Sequence, residues 1–86
     1  MDDAQKIFSV YVLRSLMHGT IYVGMATDIQ NRLKEHNNGK SKFTKSYMPW
    51  EIIYSEIAGD SKVARKREKY LKSAAGKNFL KKNNIM

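Results

Sequence analysis

Ile7-Phe8-Ser9-Val10-Tyr11-Val12-Leu13-Arg14, then Ser15-Leu16-Met17-His18-Gly19, then Thr20-Ile21-Tyr22-Val23-Gly24 is the stretch that decides the fold. The first run is rich in β-branched and aromatic residues, apolar at odd and even positions, and too short for a typical helix. It predicts a strand covered on both faces. Ser15 to Gly19 carry turn chemistry, and Thr20 to Gly24 predicts a second strand, so the three pieces make a β-hairpin. With Arg14 paired to Gly19 across a four-residue loop, Tyr11 falls directly opposite Tyr22 on one face. A slip of one residue would send the two phenols to opposite faces.

Thr27-Asp28-Ile29-Gln30 follows, with the form of a capping box: the Thr27 hydroxyl and the Gln30 amide would satisfy backbone donors at a helix start. The helix continues through Ile29, Arg32, Leu33 and His36 and stops at Asn37-Asn38-Gly39, residue types that accept a left-handed end. Ile29 and Leu33 mark its buried stripe. At about 100° per residue, Arg32 and His36 both project from the flank of that stripe and should overlook a common groove.

Lys40 to Pro49 has no clear period, and Pro49 would end any helix, so the segment reads as a basic loop. Trp50 to Ile57 predicts a third strand, Asp60 to Ala74 a second long helix, and Lys77 to Asn83 a short last helix after a break at Gly76. The element order is β-β-α-β-α-(α). This predicts an α+β fold with a small three-stranded, mainly antiparallel sheet flanked by helices.

The 86 residues predict a single domain over 1–86 with a core from about 7 to 80, burying roughly 60–65% of the unfolded surface. The polar start Met1 to Lys6 lacks the apolar stretch of a secretory signal, and no run is long enough for a membrane span, so a cytoplasmic protein without membrane contact is expected. The absence of cysteine excludes disulfides, thiolate nucleophiles and cysteine-based zinc sites. Sixteen Lys and Arg against eight Asp and Glu leave a net charge of +8 and a pI near 9.8, a balance suited to a polyanion or to a merely soluble basic surface. Lys40, Lys42 and Lys45 interleave with Phe43, Tyr47 and Trp50, a pattern suited to phosphate contact and base stacking, although Phe43 and Trp50 equally suit a core. Arg65, Lys66, Lys69 and Lys72 form a second basic face.

Glu68 is the sharpest local anomaly. Val63, Ala64, Leu71 and Ala75 form the apolar stripe of the second long helix, and Glu68 falls inside it. A carboxylate beside a core requires a cation, several donors or a metal ion. The cation readings are Arg65, Lys72 or a residue across the groove.

Ser9-Val10-Tyr11, Tyr22-Val23-Gly24, Arg32, His36 and Glu68 stand in the order and spacing of a GIY-YIG nuclease domain, which the chain resembles from about Ile7 to Leu80. It looks like a small stand-alone bacterial-type member, similar to the N-terminal nuclease domain found in the excision-repair nuclease. The resemblance implies a metal-dependent endonuclease acting on nucleic acid, DNA ahead of RNA, in a setting such as DNA repair. It also implies one divalent ion, Mg2+ or Mn2+, on Glu68; a water activated with help from Tyr11 or Tyr22; Arg32 at the transition state; and His36 orienting the nucleophile or donating to phosphate. A phenol is a poor base at neutral pH, and the choice between the two tyrosines stays open.

Gly24 permits close approach of a phosphate or a backbone, or else simply terminates its strand. Two positions depart from the family pattern: Ser9 replaces the first glycine, and Met25 stands where a small polar residue or lysine is usual, removing a phosphate contact. Asn78 is the nearest candidate for the asparagine that often follows the metal-binding glutamate. The family's homing and repair members add target-reading domains, so selectivity here must come from nucleic-acid shape, self-association or a partner protein. The alternative is a non-catalytic nucleic-acid-binding module of the same fold; a protein-interaction or ribosome-associated domain would show nucleic-acid affinity almost independent of salt.

Overall fold

The computed structural model describes residues 6–86. Three strands, β1 (Phe8–Ser15), β2 (Ile21–Ala26) and β3 (Trp50–Gly59), form an antiparallel sheet in the order β2-β1-β3. Three helices follow the predicted order: α1 (Ile29–Asn37), α2 (Ser61–Lys72) and α3 (Ala74–Lys82). A 3-10 turn over Thr44–Tyr47 lies inside the segment expected to be loop, just before a cis Met48–Pro49 bond.

β1 is central, and its apolar residues serve two cores. Val10 and Val12 face Ala64, Leu71 and Leu80 of α2 and α3 together with Val23. Tyr11 and Leu13 face the opposite side, where Trp50, Ile29, Leu33 and Tyr47 pack. The predicted two-sided burial of the first strand is therefore real, and it puts α1 and the α2–α3 pair on opposite faces. Among the described residues β2 has a neighbour on one side only, which leaves its outer edge unpaired there.

Four local expectations are corrected. The hairpin loop does hold four residues, but it begins one residue later: Ser15 N donates to Thr20 O at 2.8 Å, and Gly19 takes a left-handed conformation at φ +72°. Tyr11 consequently stands opposite Gly24, and Tyr22 opposite Leu13. A two-residue shift preserves the alternation, so both phenols keep the same face but meet diagonally. α1 is capped by Asp28, whose carboxylate accepts from Asn31 N at 3.0 Å, and not by Thr27. Its far end is as expected, with Asn38 as cap and Gly39 at φ +75°.

Gly76 does not break the second long helix. That helix ends at Ser73, whose side chain caps α3, and Gly76 lies buried within α3. A Cβ at Gly76 would run into the Tyr70 carbonyl oxygen and Leu71 Cα, so glycine is what lets the two helices turn so tightly on each other. In the α2 stripe, Ala64 and Leu71 are buried as expected, whereas Val63 is 50% exposed and Ala75 lies on the exposed side of α3. The helix changes direction at Ser73, so a periodicity carried on to Ala75 has no continuous face to follow.

Candidate active site

Tyr11 is the hub of the site. Its side chain leaves β1 and crosses over Gly24 of the neighbouring strand. A Cβ on Gly24 would lie 2.5 Å from the phenolic oxygen and 2.6 Å from Cζ. This answers why glycine stands there: β2 continues to Ala26, so Gly24 does not end its strand, and the group it admits is the Tyr11 phenol. Met25, next along β2, packs against the core shared with α2 and α3.

The Tyr11 hydroxyl lies 3.1 Å from His36 Nε2, and His36 Nδ1 lies 2.8 Å from Thr44 Oγ1. The Thr44 hydroxyl has Ser41 O within 3.5 Å for its proton, an assignment that makes it the acceptor from Nδ1–H and leaves Nε2 to accept from Tyr11. His36 is fully buried, which corrects the expectation that it overlooks an open groove. Burial holds its pKa below the usual histidine value, and the neighbouring Arg32 charge adds to the effect, so the ring is neutral.

The position of Thr44 is set from below. Trp50, expected either to stack on bases or to join a core, is buried, and its indole Nε1 donates to Thr44 O at 2.9 Å. Asn37 then pairs with the Trp50 backbone in both directions, accepting from N at 2.6 Å and donating to O at 3.1 Å. Thr44 was missed by sequence reasoning, since a threonine within a lysine-rich segment carries no signal of a buried histidine partner.

Burial pushes the Tyr11 phenol up to about 12. The neighbouring Arg32 guanidinium opposes that rise, while the charges of Tyr22 and Glu68 add to it. Arg32 is exposed on α1, with Nη1 donating to Glu35 Oε1 at 2.7 Å, and its charge also acts on the Tyr11 phenol. Tyr22 is half-buried; its ring centroid lies 6.4 Å from that of Tyr11 and 5.0 Å from that of His36. Arg32 and the two tyrosines thus converge on one flank of the sheet, with His36 behind them.

Glu68 comes from α2, and its side chain is 21% exposed. Its Oε2 lies 3.7 Å from Lys72 Nζ, one of the cation partners expected from the sequence. That separation is long for an ion pair, and the carboxylate keeps partial access to solvent. Among the described residues no three His, Cys, Asp or Glu side chains cluster as a metal cage. A lone, accessible carboxylate suits a hard cation that keeps most of its waters and takes phosphate oxygens, so the donor set fits a magnesium-type ion. Asn78 is exposed on α3, and no hydrogen bond among the described residues joins it to Glu68. Lys40, Lys42 and Lys45 are exposed around the 3-10 turn.

A family model for the GIY-YIG catalytic domain matches residues 7–84. The chain belongs to the GIY-YIG family. It is thereby placed in a nuclease family that acts on nucleic acid and generally uses a divalent metal. Its relatives include a UPF0213 protein of Bacillus licheniformis, 38% identical over 79% of this chain and 70% of the relative. UPF0213 proteins of Staphylococcus saprophyticus (34% identical) and Staphylococcus epidermidis (37%) each align over 84% of this chain and 88% of their own length. No solved structure matches the chain. Among the described residues of this GIY-YIG domain, no helix is long and apolar enough to cross a membrane.

Proposed function

We propose that this chain is an endonuclease that hydrolyses nucleic-acid phosphodiesters, DNA ahead of RNA, with a single Mg2+ or Mn2+ ion held by Glu68. The observation that carries the reading is the convergence on the Tyr11 phenol, which hydrogen-bonds to His36 and feels Arg32, Tyr22 and Glu68, side chains drawn from several elements. Such an assembly of isolated polar side chains has no packing purpose that apolar residues would not serve better.

Each group has a role its surroundings suit. Glu68 holds the ion, which when bound supplies an acidic water and a Lewis acid for the phosphate. The exposed fork of Arg32 faces the extra negative charge of the transition state. Tyr22, the more accessible phenol, orients the attacking water. Tyr11, almost wholly buried and donating its proton to His36, fixes Arg32 and the surface on which the phosphate rests. The exposed Lys40, Lys42 and Lys45 contact the backbone beyond the cut.

The test is cleavage of labelled single-stranded, duplex, flap and branched DNA and RNA by the natural chain and by Glu68→Gln, with Mg2+, with Mn2+ and with chelator. Cleavage restricted to the natural chain plus metal is the expected result. Equal cleavage by Glu68→Gln would overturn the role of Glu68. Metal-independent, salt-sensitive binding with no cleavage of any substrate would replace the nuclease with a binding module of the same fold.

A further inference from the structure

Beside the site, where the unpaired edge of β2 meets α2 and α3, lies a cleft of about 470 Å³. Tyr22 and Phe43 form one aromatic side, Leu71 and Leu80 belong to the apolar floor, and Lys72 and Lys77 add positive charge. This size falls in the range of small-molecule sites, roughly 300–1,000 Å³. Lys72 is also the residue paired with Glu68, so the cleft adjoins the proposed metal carboxylate.

Phe43 is 55% exposed, although its ring lies 6.1 Å from the Tyr22 ring and 5.5 Å from the Tyr47 ring. The fold therefore leaves a large aromatic face in water between a site tyrosine and a lysine-rich turn. An aromatic face, an apolar floor and two cations match the parts of a nucleotide: a flat base, and a phosphate outside it. A base stacked and paired inside a duplex cannot enter a cleft of this kind, because its faces are covered by its neighbours.

We propose that this cleft receives the unpaired base of a nucleotide adjoining the scissile phosphate, with the base on Phe43 and its phosphate towards Lys72 and Lys77. The substrate class is then nucleic acid with an unpaired or extrahelical nucleotide. The position of the scissile phosphate rests on the nuclease reading; the pocket and its ligand do not.

The experiment measures affinity in chelator, by fluorescence anisotropy, for a duplex with one bulged adenosine and for the same duplex with an abasic bulge, in DNA and RNA forms. Both probes carry the same number of phosphates and the same flanking pairs, so their ratio, compared between the natural chain and Phe43→Ala, reports on the base. The natural chain should bind the adenosine bulge about tenfold more tightly, the size expected for stacking one base on an aromatic ring. Phe43→Ala, at an exposed position where folding is checked by circular dichroism, should bring the ratio close to one, and Phe43→Trp should retain it. Equal affinity for the two bulges, absence of binding to both, or a ratio that survives Phe43→Ala would overturn the proposal. Metal-dependent cleavage is scored separately on the same probes. A base preference without cleavage keeps the subsite and removes the nuclease reading, whereas cleavage without a base preference does the reverse.

Discussion

Tyr11 and His36 are joined by a 3.1 Å contact between the phenolic oxygen and Nε2, and the histidine completes its bonding on Thr44 without access to solvent. The site is thus built on a buried neutral pair, while the groups proposed to meet the phosphate, Arg32 and Glu68, retain solvent access.

That pair predicts the pH dependence of stability. The folded pKa of His36 is depressed below the unfolded value near 6.5, so as pH falls through 6.5 the unfolded state takes up a proton that the folded state refuses. The stabilisation is complete above 6.5 and is lost on acidification towards the lowered folded pKa. The folded Tyr11 phenol stands at about 12 against about 10 unfolded, so a second loss begins as pH rises above 10. Thermal melts from pH 5 to 11 should show both arms; His36→Gln should flatten the acid arm and Tyr11→Phe the alkaline one.

Gly24→Ala should damage the site without replacing any of its polar side chains. Its new Cβ meets the Tyr11 phenol at 2.5 and 2.6 Å, so the ring must move and the bond to His36 is broken. The overpacking should cost about 1–3 kcal/mol in denaturant unfolding and reduce cleavage. In a Tyr11→Leu background the same glycine substitution should cost markedly less, giving a coupling energy in a double-mutant cycle. Additive losses would show that the phenol is not what Gly24 makes room for.

Arg32→Ala should separate catalysis from folding. The guanidinium is exposed and its pair with Glu35 is a surface ion pair, so the midpoint of unfolding should move by less than about 1 kcal/mol. Single-turnover cleavage should fall roughly 10²–10³-fold, as expected when a charge-stabilising donor is lost at the transition state. A loss confined to KM would assign Arg32 to ground-state binding.

Replacing Lys40, Lys42 and Lys45 together by alanine should weaken binding to any duplex sequence and lower the slope of log K against log salt. Each lost duplex phosphate contact lowers it by about 0.9, so three lower it by up to about 2.7. An unchanged slope would place the nucleic acid on another face, such as that carrying Arg65, Lys66 and Lys69.

What the sequence by itself determined is what nearest neighbours along the chain encode. The hairpin, the left-handed end of α1 at Gly39, the Asp60 cap of α2 and the two-sided burial of β1 all follow from residue types within a few positions of one another. So does the GIY-YIG pattern, because its members keep a fixed order and spacing along the chain. Even the register failed in a way local alternation tolerates, since a shift of two keeps both phenols on one face. Only the tertiary structure decided which glycine serves which neighbour: Gly24 admits a ring from the next strand, and Gly76 admits the backbone of a preceding helix. It also decided that His36 is interior, because Thr44 bonds its Nδ1 and is itself held by the indole of Trp50, whose backbone Asn37 pins. Propensity and periodicity report the preferences of a segment, whereas close approach and desolvation belong to pairs of segments, and those exist only once the sheet and helices have packed.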